Sequence, residues 1–358
     1  MAYRVIQWST GNAGSAALRA AIESPDLDLI GVWVHSPQKV GVDAGTLAGV
    51  DPVGVAASNV MDALLALDPD VVCYTAAGDL RPTEALTDIC RILESGTNVV
   101  ATSIVALTYP TPNNGEMLSQ LEAACAKGSS SFYLSGIDPG FAIDLLPAAL
   151  LTAAHQVDTV RVREVLNYAT YDQAEILFDI MGFGKPLDAD ALLFLPGSLS
   201  YAWGGVVHML AAVLGTELDE VREVTERRAM DVDIEVASGV VKAGTMAAMR
   251  FEVQGIVAGE PRVIVEHVTR LHDDAAPDWP AQMGEGQYET IITGELNMRA
   301  TLQLDQRGGD HNGGGLLATG TKVLNAIPAV CAAPPGVLTT LDLPLRTGMH
   351  LLAANSTQ

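Results

Sequence analysis

A chain of 358 residues exceeds one average domain, and with 49% hydrophobic and 18% charged residues it can bury a large core, which excludes disorder as its main state. Its 43 Asp and Glu against 20 Lys and Arg leave a net charge of −23. Such a surface repels phosphate backbones and anionic lipid, so nucleic acid and membrane surfaces are excluded as general partners.

The chain opens MAYRVIQW, without the basic start and apolar stretch of a secretory leader. Cys73, Cys90, Cys125 and Cys331 lie in apolar stretches with no C-x-x-C spacing. They read as buried free thiols of a reducing compartment, and the expected location is the cytoplasm. The apolar run Ile143 to Ala154 is broken by Asp144, Pro147 and Thr152, and it is too short to span a bilayer.

Arg4 to Trp8 reads as a strand, followed by the turn Ser9-Thr10-Gly11-Asn12-Ala13-Gly14-Ser15 and a helix from Ala16 to Ile22. Further strands are expected at Leu27 to His35, Asp70 to Thr75, Asn98 to Thr102 and Ser131 to Ser135. Helices are expected at Val60 to Leu67, Pro82 to Ser95 and Glu116 to Lys127. Near-continuous apolar strands alternating with helices predict an α/β domain, its parallel sheet covered on both faces.

The rhythm then changes. A strand is expected from Thr159 to Tyr168, and helices from about Tyr171 to Met181 and Ser198 to Leu214. Long strands follow at Val221 to Val236, Thr245 to Val257, Arg262 to Leu271, Tyr288 to Gly294 and Asn297 to Leu304, with a hairpin turn at Ala258-Gly259-Glu260-Pro261. This is an α+β domain with an open, mixed or antiparallel sheet. Gly308 to Gly315 reads as a glycine-rich loop, and Leu316 to Ala329 as the last helix.

The turn after the first strand carries the strongest chemistry. Ser9-x-Gly11-x-x-Gly14 is a dinucleotide fingerprint with serine in place of the first glycine. Gly11, Asn12, Ala13 and Gly14 bring backbone close to a pyrophosphate, and the helix N-terminus faces its charge. NAD enzymes place a carboxylate at the end of the second strand, about 20 residues on. Here His35, Ser36 and Lys39 stand there, donors suited to a 2′-phosphate, so NADP is expected over NAD. Ala76 and Ala77 after one strand, and Thr102 and Ser103 after the next, are expected to line the cofactor, because ligands sit at the carboxyl ends of parallel strands.

Several stretches together resemble one family. They are Val5 to Gly14, Gly136-Ile137-Asp138-Pro139-Gly140-Phe141, Asn167 to Asp172, Met181-Gly182-Phe183-Gly184, Asp310 to Gly315, and Asn325-Ala326-Ile327-Pro328. They are similar to the dihydrodipicolinate-reductase-like proteins that include 2,4-diaminopentanoate dehydrogenase and the native amine dehydrogenases. The resemblance implies an NAD(P)-dependent oxidoreductase with an N-terminal Rossmann domain over residues 1–140. A substrate and dimerisation domain would follow over 141–314, with 315–358 returning to the first. It adds Asn325 to the expected cofactor contacts and implies a homodimer. The His-His and Lys signature of true dihydrodipicolinate reductases is absent. The glutamate that amine dehydrogenases carry before a Tyr-Pro pair is replaced by Val105 or Ala106, ahead of Tyr109-Pro110.

Hydride transfer needs a proton partner. His311 and Tyr171 are the expected pair, with Asp138, Phe141, Tyr168 and His208 as substrate contacts. Glu164 is a further candidate proton partner, with an ion pair to the adjacent Arg163 on the sheet as its structural alternative. The scattered histidines match no metal spacing, so no metal is expected. The reading is hydride transfer between NADP(H) and a small carbonyl, imine or amine in a cleft between the domains. Two rivals stay open: an amine dehydrogenase using another base, and a non-catalytic NADP-binding sensor or scaffold.

Overall fold

Strands buried on both faces place the first sheet in the middle of its layers. The computed structural model describes residues 2–307, 310–348 and 351. They form two compact units, one from the described parts of 1–108, 112–140 and 316–358, the other from 109–111 and 141–315.

The first unit alternates β1 (Tyr3–Trp8), α1 (Asn12–Glu23), β2 (Leu27–Trp33), α2 (Ala44–Ala48), β3 (Ala57–Ser58), α3 (Met61–Leu65), β4 (Val71–Tyr74), α4 (Pro82–Glu94), β5 (Asn98–Ala101), α5 (Gly115–Gly128) and β6 (Ser131–Leu134). Every residue of β4 and β6 is buried, as helices on both faces of a parallel sheet require. Gly14, Ala17, Leu18 and Ala21 form the buried stripe of α1 at helical spacing. At the carboxyl ends of three adjacent strands, Trp8 stacks on Trp33 at 4.6 Å and on Tyr74 at 5.9 Å.

The second unit opens with a π-helical turn at Phe141–Leu145, then α6 (Leu146–Leu151), β7 (Val157–Asn167) and α7 (Ser198–Val213). It continues with β8 (Glu220–Ala229), β9 (Ile234–Val236), β10 (Gly239–Val241), β11 (Met246–Val257), β12 (Glu260–Arg270), β13 (Gly286–Gly294) and β14 (Met298–Leu302). Six strands run in the order β14-β13-β7-β12-β11-β8, with β12 parallel to β7 and the other pairs antiparallel, so the sheet is mixed.

Three expectations need correction. The strand read as Val221 to Val236 breaks after Ala229, because Asp233 turns back to accept from the Ala243 amide at 2.9 Å and the Lys242 ammonium at 2.7 Å; β9 and β10 become a separate hairpin. The helix expected over 171–181 shrinks to a π-helical segment, Glu175–Ile180. The glycine-rich stretch, whose residues 308 and 309 lie outside the described residues, is already helix from His311: α8 spans His311–Ala332. Asp310 caps it, its Oδ1 accepting from the Gly313 amide at 2.8 Å. That bond offsets part of the roughly 1 kcal/mol that each glycine costs a helix. Asp310→Ala is therefore expected to lower stability by about 1 kcal/mol in urea unfolding.

By length and composition α8 could cross a bilayer, yet Val323, Ile327 and Val330 sit fully buried in a core cluster with Val5 and Val71 of the sheet. At Gly320 a Cβ would come within 2.9 Å of the Ala17 Cβ, so α8 lies close on α1. Then β15 (Gly336–Leu338) pairs in parallel with β6 and completes the first sheet, β15-β6-β5-β4-β1-β2-β3.

The pleat gives the second sheet two unlike faces. One is apolar and lies under α7: Val160, Val162, Val263, Val265 and Val253 are all fully buried, and a Cβ at Gly255 would meet Val207 of α7 at 2.7 Å. The other carries interlocked charges. Glu266, with no exposed surface, accepts from Arg161, from Arg163 Nε at 2.8 Å and from Arg250 Nε at 2.8 Å. Glu252 binds Arg161 at 2.7 Å and Arg250 at 3.1 Å, and Glu289 binds Arg163 at 3.2 Å and also Arg299.

Candidate functional site

The turn between β1 and α1 is built from unusual local choices. Ser9, standing where a glycine is usual, has φ +79°, a left-handed backbone that side chains rarely adopt. A Cβ on Gly14 would lie 2.5 Å from the Ser9 carbonyl oxygen and 2.7 Å from Thr75 Oγ1. Only glycine lets α1 start this close to the strand. Gly11 faces open space and supplies no side-chain cap, so the first amides of α1, at Asn12, Ala13 and Gly14, carry the helix's positive end outward.

Two polar residues inside the sheet wire this turn. Gln7 Nε2 donates to the Ser9 carbonyl at 3.0 Å and to Thr75 Oγ1 at 2.8 Å, while Thr75 Oγ1 donates to the Trp8 carbonyl at 2.9 Å. Sequence reasoning passed over Gln7. Its signal was a lone amide among the apolar residues Val5, Ile6 and Trp8.

Lys39 reaches the same turn. Its ammonium donates to the carbonyl and the hydroxyl of Thr10, both at 2.9 Å. Ser36 is half-buried just before the short 3₁₀ turn Pro37–Lys39, and His35 is exposed, its ring 6.2 Å from that of Trp33. The first carboxylate after β2 is Asp43, and it is engaged by its own loop. It accepts from the amides of Gly45 at 2.7 Å, Val53 at 3.0 Å and Gly54 at 2.7 Å, and these bonds, Val53's foremost, hold its carboxyl below the usual range.

Ala76 is half-buried and Ala77 exposed after β4. After β5, Thr102 is half-buried and Ser103 is buried, its hydroxyl bound to the Ala76 carbonyl. Ile104 has φ +63°, a strained conformation for a β-branched residue. Val105 and Ala106 then form a 3₁₀ turn whose first amide donates to Asp79 Oδ1 at 2.9 Å. The Asn325 side chain lies against Gly348, where a Cβ would sit 2.6 Å from Asn325 Oδ1. Asp138 sits beyond β6 in a tight turn closed by a bridge between Ile137 and Gly140.

On the apolar face of the second sheet, strand register lines up one row: Phe251 on β11, His267 on β12, Glu164 on β7 and Tyr288 on β13. Glu164 is not an ion pair with Arg163. Adjacent residues of a strand face opposite ways, and Arg163 joins Glu266 and Glu289 on the charged face. Glu164 is the one buried carboxylate on this face of the four inner strands, at 4% exposure. A carboxylate oxygen of Glu164 and a ring nitrogen of His267 lie within 4.8 Å. Burial drives His267 down to about 3, so its imidazole is neutral at physiological pH. Trp203 of α7 closes over the row, 4.6 Å from His267 and 4.7 Å from Phe251 between ring centroids.

The expected proton pair flanks this row. Tyr171 stacks on Tyr168 at 4.8 Å and receives a bond from Gln173 at 2.7 Å; its hydroxyl is pushed up to about 12 by burial and then by the charge of Glu164. His311 is buried with its ring 5.8 Å from Tyr288, and burial lowers its imidazole. It stays in place because Asn312 donates to Thr170 at 2.8 Å and the His311 amide to Glu285 at 3.2 Å. Phe141 is half-buried at the start of the π-helical turn, which packs against β13. His208 is not brought to the row. It lies on α7 about 140° around the helix from Trp203, half-buried. The row itself was invisible in the sequence, because it depends on how four strands pair.

Comparison with known proteins places these features in context. Residues 141–357 match the family model of the 2,4-diaminopentanoate dehydrogenase C-terminal domain. The chain is 40% identical over 351 residues to an amine dehydrogenase of Streptomyces virginiae, covering 97% of this chain and 98% of that one. It is 23% identical over 356 residues to the 2,4-diaminopentanoate dehydrogenase of Acetoanaerobium sticklandii, covering 96% and 93%. Among solved structures, an amine dehydrogenase from Mycobacterium smegmatis superposes with a TM-score of 0.78 at 23% identity, covering 96% of this chain and 97% of that one.

Proposed function

The chain belongs to the family of 2,4-diaminopentanoate and amine dehydrogenases and is an NAD(P)-dependent oxidoreductase of amines or carbonyl compounds, and we propose that NADP(H) is the cofactor it uses. The observation that carries this reading is the ground after β2. Residues 34–42 hold no carboxylate, Asp43 spends its oxygens on three backbone amides, and Lys39 stands over the glycine turn. A 2′-phosphate there meets a cation and a hydroxyl, where a bare ribose would want an acceptor.

When bound, the cofactor supplies or accepts the hydride. The protein's part is to hold the pyrophosphate at the amides of residues 12–14, against a turn fixed by Gln7 and Thr75. The family relatives are enzymes, which removes the non-catalytic alternative. A homodimer in a reducing cytoplasm completes the proposal. It is supported by the broad charged face of the second sheet and by four free thiols, and mass photometry of the purified protein tests the dimer.

The cofactor assignment is tested by fluorescence titration. NADPH is expected to bind at least tenfold more tightly than NADH. Lys39→Ala is expected to cut that ratio by about tenfold, the worth of one hydrogen bond to a charged group. Equal affinities in the unmodified protein would refute the choice of NADP. Oxidation of NADPH with a small ketone, with and without ammonia, separates reductive amination from plain carbonyl reduction.

A further inference from the structure

We propose that Asp79 is the proton donor that accompanies hydride transfer, standing at the nicotinamide end of the coenzyme cradle. The inference rests on the oxidoreductase reading and adds to it a catalytic residue from the first unit.

Two segments leave the first sheet side by side, residues 75–81 after β4 and 102–108 after β5. Three contacts in step zip them together. The Ser103 hydroxyl donates to the Ala76 carbonyl. Gly78 packs so closely that a Cβ there would lie 2.9 Å from the Ser103 Cβ and 3.0 Å from Ile104 Cγ1. Asp79 Oδ1 then accepts from the Val105 amide at 2.9 Å. The Ile104 amide bonds the same carboxylate, and it does so from the strained φ of +63°. The acid is thus fixed at the carboxyl ends of two adjacent parallel strands, where ligands of such sheets lie. The turn after β1 takes the pyrophosphate, and Lys39, reaching it from beyond β2, marks the β2 side as the adenosine half. The nicotinamide half falls on the other side of β1, over β4 and β5.

Along these two segments the only ionisable side chains are Asp79 and Arg81, and a guanidinium keeps its protons. Asp79 is exposed, so a proton given up returns from solvent. Its carboxyl is nonetheless packed against the turn, and burial raises it above the ordinary value despite the pull of the Val105 and Ile104 amides. That favours the acid form. In reduction, the C=O or C=N carbon of the substrate gains hydride from the reduced coenzyme. Its π pair moves to the oxygen or nitrogen, and the Asp79 carboxyl gives that atom a proton. The alcohol or amine, oxidised coenzyme and an Asp79 carboxylate remain, and solvent reprotonates the carboxylate.

Carbon-13 NMR of the aspartate carboxyls tests the placement without turnover. The Asp79 signal, identified by its loss in Asp79→Asn and again in Asp79→Glu, is expected to shift when NADP⁺ is added. It should stay still with 2′,5′-ADP, which fills the adenosine half alone. Asparagine keeps an acceptor for the Val105 amide, so Asp79→Asn should hold its circular dichroism and bind NADPH within twofold of the unmodified protein. Its kcat with NADPH and a small ketone should fall about 100-fold, and Asp79→Glu should recover part of that loss. In the unmodified protein kcat should decline as rising pH removes the acid form, and this decline should vanish in Asp79→Asn. A signal that ignores NADP⁺ overturns the proposal, and so does a kcat in Asp79→Asn within twofold of the unmodified protein. NADPH and NADH titrations of the same samples read the cofactor assignment separately. Should NADH bind the tighter, the same comparisons are made with NAD⁺ and AMP, so a failed NADP assignment is not confused with a failed proton donor.

Discussion

Glu266→Ala is expected to lower the unfolding free energy by about 3 kcal/mol, measured by urea denaturation at neutral pH. The carboxylate has no exposed surface, and three guanidinium groups, of Arg161, Arg163 and Arg250, converge on it. Removing it leaves those cations facing one another. Breaking a buried pair costs about 3–5 kcal/mol, and the lower end applies because the arginine side chains stay 16% to 27% exposed and water screens part of the repulsion. Burial alone would raise the Glu266 carboxyl, but the charges of Arg161 and Arg163 outweigh it, so its folded value lies below the ordinary 4.5. A lowered acid stabilises the fold at pH values above its unfolded value and loses that contribution as the pH falls through the folded one. The difference between the two proteins should therefore be full above pH 4.5 and shrink in more acidic solution. A loss below 1 kcal/mol at neutral pH would mean that solvent already screens the cluster.

Gly14→Ala should weaken NADPH binding by roughly a hundredfold, the loss of one or two hydrogen bonds to a charged group. The new methyl meets the Ser9 carbonyl oxygen at 2.5 Å and Thr75 Oγ1 at 2.7 Å. Neither can give way cheaply, because Gln7 and the Trp8 carbonyl hold both. The start of α1 must then move outward by roughly an ångström to restore ordinary contact, and its amides move off the pyrophosphate. Fluorescence titration measures the affinity, and circular dichroism checks that the fold persists. An unchanged NADPH dissociation constant would remove this turn from the binding site.

Much of the first unit could be read from residue order alone. Its strands are short apolar runs buried on both faces, and its helices announce themselves with Pro82 at one start and with small residues facing the sheet in α1. Local chemistry also gave away the turn at Ser9 to Gly14, since glycine spacing there reports a close approach. The second unit was less legible. Asp233 and Asp310 redirect the chain through side-chain bonds to backbone, ending one strand and starting one helix in places that periodicity does not mark. Glu164 and Tyr288 lie 124 positions apart, and only antiparallel pairing of β13 with β7 sets them side by side. The assumed pairing of Glu164 with Arg163 failed for the same reason: proximity along a strand is separation across the sheet.

Serine at position 9 has a consequence for how the coenzyme is received. A glycine there would reach φ +79° without strain, but it would also wander among many other shapes when nothing is bound. Serine narrows that choice in advance, and the amide of Gln7 pins its carbonyl. A receptor moulded before its guest arrives forfeits little freedom on docking, so affinity reflects the contacts made rather than disorder removed.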